Sequence, residues 1–243
     1  VAVSIPLILS LETAAGCGSI ALTRGGVQNG RLIAEAAVHA ETSHSRQLLG
    51  SVEWVMKAAG IGWSDLDAIA VSIGPGSFTG LRIGLAAAKG MVFATGKPLI
   101  AVPTLDAIAL SCPLIDCPLW CIMDARKQEV YAARYCLNAD GLPEPCGPAE
   151  AIRPELLAAK IEPPALIAGP GLAEYQHLFS QIEGVRLIPP ALSSPSAAKI
   201  GFLAAELLER GEISDPALAV PLYVRASEAE VHLKKQSALA QSA

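Results

Sequence analysis

The sequence predicts a two-lobed α/β fold, and three observations carry that prediction. Two stretches, one starting near residue 7 and one near residue 119, each open with a pair of strand-like segments that read as an antiparallel hairpin. After each hairpin, strand-like and helix-like patterns alternate, as a layered α/β lobe requires. At 243 residues with 52% hydrophobic content, the chain has enough apolar material to fill two packed lobes.

The elements follow in order. Residues 7–11, 18–23 and 31–38 read as strands, and residues 45–59 as the helix that crosses over after them. In that helix Leu48, Val52, Val55, Met56 and Ala59 fall within an arc of about 120° at about 100° per residue, which fixes its core face. Residues 66–73 form the next strand, 79–94 a helix, 98–102 a strand, and 104–110 a short helix begun by Thr104. Beyond a linker at 112–118, residues 119–124 and 129–136 form the second hairpin. Residues 166–171 read as a strand ending in the turn Gly169-Pro170-Gly171, 185–188 as a strand, and 196–210 as a long helix closed by Gly211. The expected domains are a first lobe over 1–111, a second over 112–225, and a polar, alanine-rich tail over 226–243 that should be poorly ordered. The arrangement suggests an internal duplication, although no sequence repeat supports it.

The most informative segment is Ser72-Ile-Gly-Pro-Gly-Ser-Phe-Thr-Gly-Leu-Arg-Ile-Gly84, a strand-to-helix junction. Gly74, Gly76 and Gly80 allow positive φ and close backbone approach, while Ser77 and Thr79 can cap the helix and leave its first N–H groups facing the loop. That shape suits an anion, and it serves equally as a plain tight corner. Its spacing matches neither a Walker loop nor a dinucleotide fingerprint, and Lys89 lies well inside the helix.

Composition narrows the function classes. The net charge is −5, and no basic cluster exceeds Lys234-Lys235, so the footprint for nucleic acid is small and a partner is expected to grip any RNA. No apolar run approaches the roughly 18 residues of a membrane span and no basic start precedes one, which predicts a cytosolic protein. The cysteines at 17, 112, 117, 121, 136 and 146 match no common zinc spacing and read as reduced thiols. His39 and His44, five apart, would stand about 140° apart on a helix and cannot share one ion.

Two helices look built for company. Trp54 lies away from its helix's core stripe, bordered by Gly50, Ser51 and Ala58, and is to be covered either by a partner or by the rest of the chain. The helix at 79–94 is apolar almost all round, with only Arg82 and Lys89 interrupting. Gly84, Ala87 and Ala88 would let a second helix approach closely, with Met91 beside them; a helix wholly buried in the monomer is the alternative.

With Leu9-Ser-Leu-Glu-Thr-Ala14, the glycine motif, Met123-Asp-Ala-Arg-Lys-Gln-Glu-Val-Tyr131 and Pro221-Leu-Tyr-Val-Arg225, the chain resembles the TsaB family over residues 7–225. The resemblance implies an actin-like, sugar-kinase-like (ASKHA, ribonuclease H-like) fold. It also implies a non-catalytic scaffold for TsaD, which transfers a threonylcarbamoyl group to the adenosine beside the anticodon of tRNA, with the ATPase TsaE joining the pair. The chain would form a homodimer when alone, meet tRNA only indirectly, and have no cofactor of its own, any ATP or ADP lying at the interface of the complex. The His-x-x-x-His metal pair of TsaD is missing.

The expected partner interface comprises Gly50, Trp54, Ala58, Arg82, Gly84, Ala87, Ala88, Lys89 and Met91. An actin-like nucleotide site would draw on Glu12, Thr13, Gly74, Gly76, Ser77, Thr79 and Asp124. The second lobe looks too short for a full adenosine pocket, and its Gly169-Pro170-Gly171 turn has no neighbouring hydroxyl or basic residue in sequence. The rival readings are an ATPase using Glu12 and Asp124 and, far less favoured, a metallopeptidase, for which no His-Glu-x-x-His motif is present.

Overall fold

The computed structural model describes residues 5–38, 44–112 and 117–225. The tail at 226–243, His39 and the side chain of His44 lie outside the described residues.

The first half of the chain forms β1 (Leu7–Glu12), β2 (Gly18–Arg24), β3 (Arg31–Val38), α1 (His44–Ala59), β4 (Ala68–Gly74), α2 (Phe78–Thr95), β5 (Leu99–Pro103) and α3 (Thr104–Ala109), with a 3-10 turn at Trp63–Asp65. Its sheet has the order β3-β2-β1-β4-β5. β1 to β3 are antiparallel neighbours, and β4 and β5 run parallel to β1. Alternation along β1 splits its side chains between two layers. Leu7, Leu9 and Leu11 pack under α1 and α2 with Leu48, Val52, Val55, Met56 and Leu85, so the helical stripe read from sequence is the buried one.

The second half forms β6 (Leu119–Asp124), β7 (Val130–Leu137), β8 (Pro143–Pro145), β9 (Glu150–Ile152), α4 (Pro154–Lys160), β10 (Ala165–Ala168), α5 (Leu172–Phe179), β11 (Val185–Leu187), α6 (Pro190–Ser193) and α7 (Ala197–Glu209). β7 is antiparallel to β6, β8 and β9 pair with the far edge of β7, and β10 and β11 continue the sheet parallel to β6. This path repeats that of the first sheet, so the duplication is present in topology, and both lobes have the order of the actin-like, ribonuclease H-like fold.

The helices that end the two halves bind them together. Leu105, Ile108 and Ala109 of α3 pack on Leu119, Cys121, Met123, Ala133 and Tyr135 of the second sheet. Tyr135 donates its hydroxyl to Asp106 Oδ1 at 2.6 Å, and burial raises the Asp106 carboxyl. Conversely, Ile200, Ala204 and Ala205 of α7 pack on Ile8, Ala68, Ala70, Ile100 and Val102 of the first sheet. Ser10 fixes that contact by donating to the Ala197 carbonyl at 2.6 Å. The chain then stays with the first sheet: Ser214 N–H donates to Leu99 O at 2.9 Å and Leu222 N–H to Ile73 O at 2.7 Å. Residues 197–222, grouped with the second half in sequence, thus pack in space with the first.

Pairing of Tyr135 with Pro145 and Cys136 with Glu144 brings Cys146 beside Cys136, their Cα atoms 6.3 Å apart, so these two sulfurs are neighbours. Cys17, Cys112, Cys117 and Cys121 are free.

Candidate functional site

In the first lobe, the ends of β1 and β4 lie side by side, which brings Glu12 to the glycine junction. Glu12 is fully buried, and its Oε1 accepts hydrogen bonds from the N–H of Ala14 at 2.6 Å, the N–H of Ala15 at 3.3 Å and the Ser72 hydroxyl at 3.4 Å. Among the described residues its Oε2 has no hydrogen-bond partner. Desolvation outweighs the three donors and pushes the carboxyl up to about 7. Glu12 thus holds the hairpin turn after β1 in shape.

The glycine junction is packed against that turn. Ser77 donates its N–H to Ala14 O at 2.8 Å, and a Cβ on Gly76 would lie 2.6 Å from the same oxygen. A Cβ on Gly80 would overlap the Thr13 carbonyl oxygen, and one on Gly84 the Thr13 hydroxyl. Ser77 caps α2 by accepting from the Gly80 N–H at 3.2 Å, while Thr79 is exposed. Gly74 donates its N–H to Thr104 Oγ1 at 3.1 Å. The glycines of this loop are thus packed against residues 13–14 of the same chain, and the Ser77 N–H is used on Ala14.

The second lobe repeats the arrangement. Gly169 has φ +111° where Gly74 has +113°, and its N–H donates to Ser193 Oγ at 2.9 Å, as that of Gly74 does to Thr104. Gly171 N–H donates to Ile122 O at 3.2 Å, so β6 fills this turn much as the chain after β1 fills the other. Folding brings one hydroxyl to the turn that sequence spacing could not reveal, that of Ser193, and it is engaged by the Gly169 N–H and the Pro189 carbonyl. Asp124 ends β6 as Glu12 ends β1; it accepts from the Arg126 N–H at 2.8 Å and pairs with the Arg126 guanidinium at 3.3 Å.

The other candidate surface is the outer face of α1 and α2. On α1, Trp54 is 57% exposed, with Gly50 and Ala58 exposed beside it, so no other part of the described chain buries it. On α2 the surface residues are Phe78, Thr79, Arg82, Ala86, Gly90, Phe93 and Ala94, and Phe93 is 93% exposed. Ala87 and Lys89 are half-buried. Gly84 and Ala88 do not belong to this surface: they share the face turned toward the sheet with Leu81, Leu85 and Val92, and all are buried; Met91 is largely buried but lines the groove beside the stripe. The alternative of a wholly buried helix is overturned by the same exposures. Beside the stripe, Leu49, Trp63, Ala87, Gly90 and Ala94 line an apolar groove of about 680 Å³. Phe93 is the most exposed large apolar side chain of this face, and sequence pattern missed it because a helix apolar all round gives no polar positions to mark its outer side.

Known proteins resemble this chain along most of its length. A family model described as TsaD, tRNA N6-adenosine threonylcarbamoyltransferase, matches residues 38–233. An uncharacterized protein of Mycobacterium tuberculosis is 33% identical over 233 residues, covering 94% of this chain and 96% of that protein. The tRNA threonylcarbamoyladenosine biosynthesis protein TsaB of Bacillus subtilis is 29% identical over 229 residues, covering 92% of this chain and 96% of that one. Among solved structures, YeaZ from Pseudomonas aeruginosa matches with a TM-score of 0.73 at 28% identity, covering 90% of this chain and 100% of the other.

Proposed function

This chain belongs to the TsaB family, and from that premise we propose that it serves threonylcarbamoyladenosine synthesis on tRNA as a non-catalytic scaffold that docks TsaD on its α1–α2 face. The observation that carries the proposal is the exposed apolar stripe, with Phe93 at 93% and Trp54 at 57% exposure beside an apolar groove. Large aromatic rings left in water on adjoining helices gain most by burial against a second protein. The packed glycine turns support the non-catalytic part, because the N–H of Ser77 and that of Gly171 are already spent on Ala14 and Ile122. Glu12, the first acid an actin-like ATPase would use, is turned into its own hairpin.

In this reading the same face pairs two copies when TsaD is absent, the ATPase TsaE joins the heterodimer, tRNA is held by the complex, and any ATP or ADP lies between subunits. The work is cytoplasmic; among the described residues no helix is long and apolar enough to cross a membrane. The test is complementation: wild-type chain should restore the modification in an extract lacking its TsaB, and Phe93→Arg should not. Equal restoration by the variant contradicts the proposal. Purified wild type should turn over no ATP; turnover that Glu12→Ala abolishes would favour the ATPase reading instead.

A further inference from the structure

Arg82 is held in place by two segments far apart in the chain. Its guanidinium carbon stands 3.8 Å from the centroid of the Phe78 ring, one helical turn earlier on α2. Its Nε donates to the Tyr223 hydroxyl at 3.2 Å, and the Phe78 and Tyr223 rings lie 5.7 Å apart, centroid to centroid. Tyr223 is itself fixed on both sides: Leu222 N–H donates to Ile73 O at 2.7 Å, and Arg225 pairs with Glu129 at 3.0 Å. One guanidinium face is covered and Nε is used, yet the side chain is exposed, and no carboxylate among the described residues pairs with it. Such a stacked, weakly hydrated fork has already lost much of its freedom, which lowers the cost of taking a planar anion in two parallel hydrogen bonds.

We propose that Arg82 is a preformed receptor for a carboxylate, an Asp or Glu on the protein that covers the α2 face. This rests on the docking reading above and adds the chemistry of the partner's contact. Arg82 begins the stripe that continues through Ala86 and Gly90 to Phe93, about 16 Å further along the helix axis. A partner seated on the stripe meets an ionic anchor at one end and a bare aromatic ring at the other, the residue types in which binding energy concentrates. RNA phosphate fits less well. The chain carries a net charge of −5, the stripe beside Arg82 is apolar, and Arg225, two residues after Tyr223, is already paired with Glu129.

The test is the affinity of the chain for TsaD of the same organism, measured by calorimetry at low and high NaCl. Arg82→Gln should weaken binding by about tenfold or more at low salt and flatten the salt dependence. Arg82→Lys should not restore it, because an ammonium neither stacks on Phe78 nor forks. Tyr223→Phe, which keeps the ring and removes the acceptor for Nε, should give a smaller loss. If wild type binds and Arg82→Gln binds as tightly with the same salt dependence, the receptor is refuted and the docking reading stands. If wild type does not bind TsaD at all, the docking reading fails first. If Arg82→Gln keeps the protein complex but weakens its retention of tRNA, the cation serves phosphate and the proposal is overturned.

Discussion

Thr13 occupies the space that a side chain at Gly84 would need, since a Cβ built there overlaps the Thr13 hydroxyl. This contact seats α2 on the end of β1, and it reassigns Gly84 from partner surface to core. Gly84→Ala should cost about 1–3 kcal/mol through overpacking, and Gly84→Leu should prevent folding. Trp54→Arg and Phe93→Arg, both on the solvent side, should leave the thermal melt nearly unchanged. A Gly84→Leu chain that melts like wild type would mean that α2 is seated differently.

Glu12 sets a pH dependence. Its carboxyl titrates at about 7 in the folded chain against 4.5 when free, with burial as the main cause. The folded state therefore keeps the proton over a range in which the unfolded chain gives it up. The stability gained is fully present below about pH 4.5 and is lost as pH rises through about 7. Glu12→Gln preserves an acceptor for Ala14 and Ala15 without the titration. Calorimetric melts from pH 4.5 to 8 should fall more for wild type than for the variant; parallel curves would contradict this.

Thr104 and Ser193 make equivalent latches. Each accepts the N–H of a glycine at the end of a parallel strand, Gly74 as the last residue of β4 and Gly169 as the residue after β10, and both hydroxyls are buried. Thr104→Val and Ser193→Ala each leave a buried donor unpaired, at about 1–3 kcal/mol. Urea unfolding should reveal similar losses at the two sites. A negligible loss at either would remove the latch from that lobe.

What sequence disclosed here was local. Both hairpins, the crossover helix α1 and the limits of β3 and β6 follow from periodicity and turn residues, which act within a few positions. Contacts between distant segments were out of reach. Gly76 and Gly80 read as turn glycines suited to an anion or a tight corner, and what approaches them is residues 13–14, more than sixty residues earlier; Gly84, read as partner surface, meets the Thr13 side chain. The placement of α7 on the first sheet and the hydroxyl of Ser193 on Gly169 are equally non-local. β8 and β9, three residues each, are too short to display a period. On α2, uniform apolarity concealed the outer face until Phe93 and Ala88 were seen on opposite sides.

The central claim is that the α1–α2 face docks TsaD, and light scattering on a sizing column tests it most directly. Mixed with TsaD of the same organism, the wild-type chain should elute as a heterodimer, and Phe93→Arg and Trp54→Arg, folded by their melts, should elute apart from it. A heterodimer that persists with both variants would contradict the account.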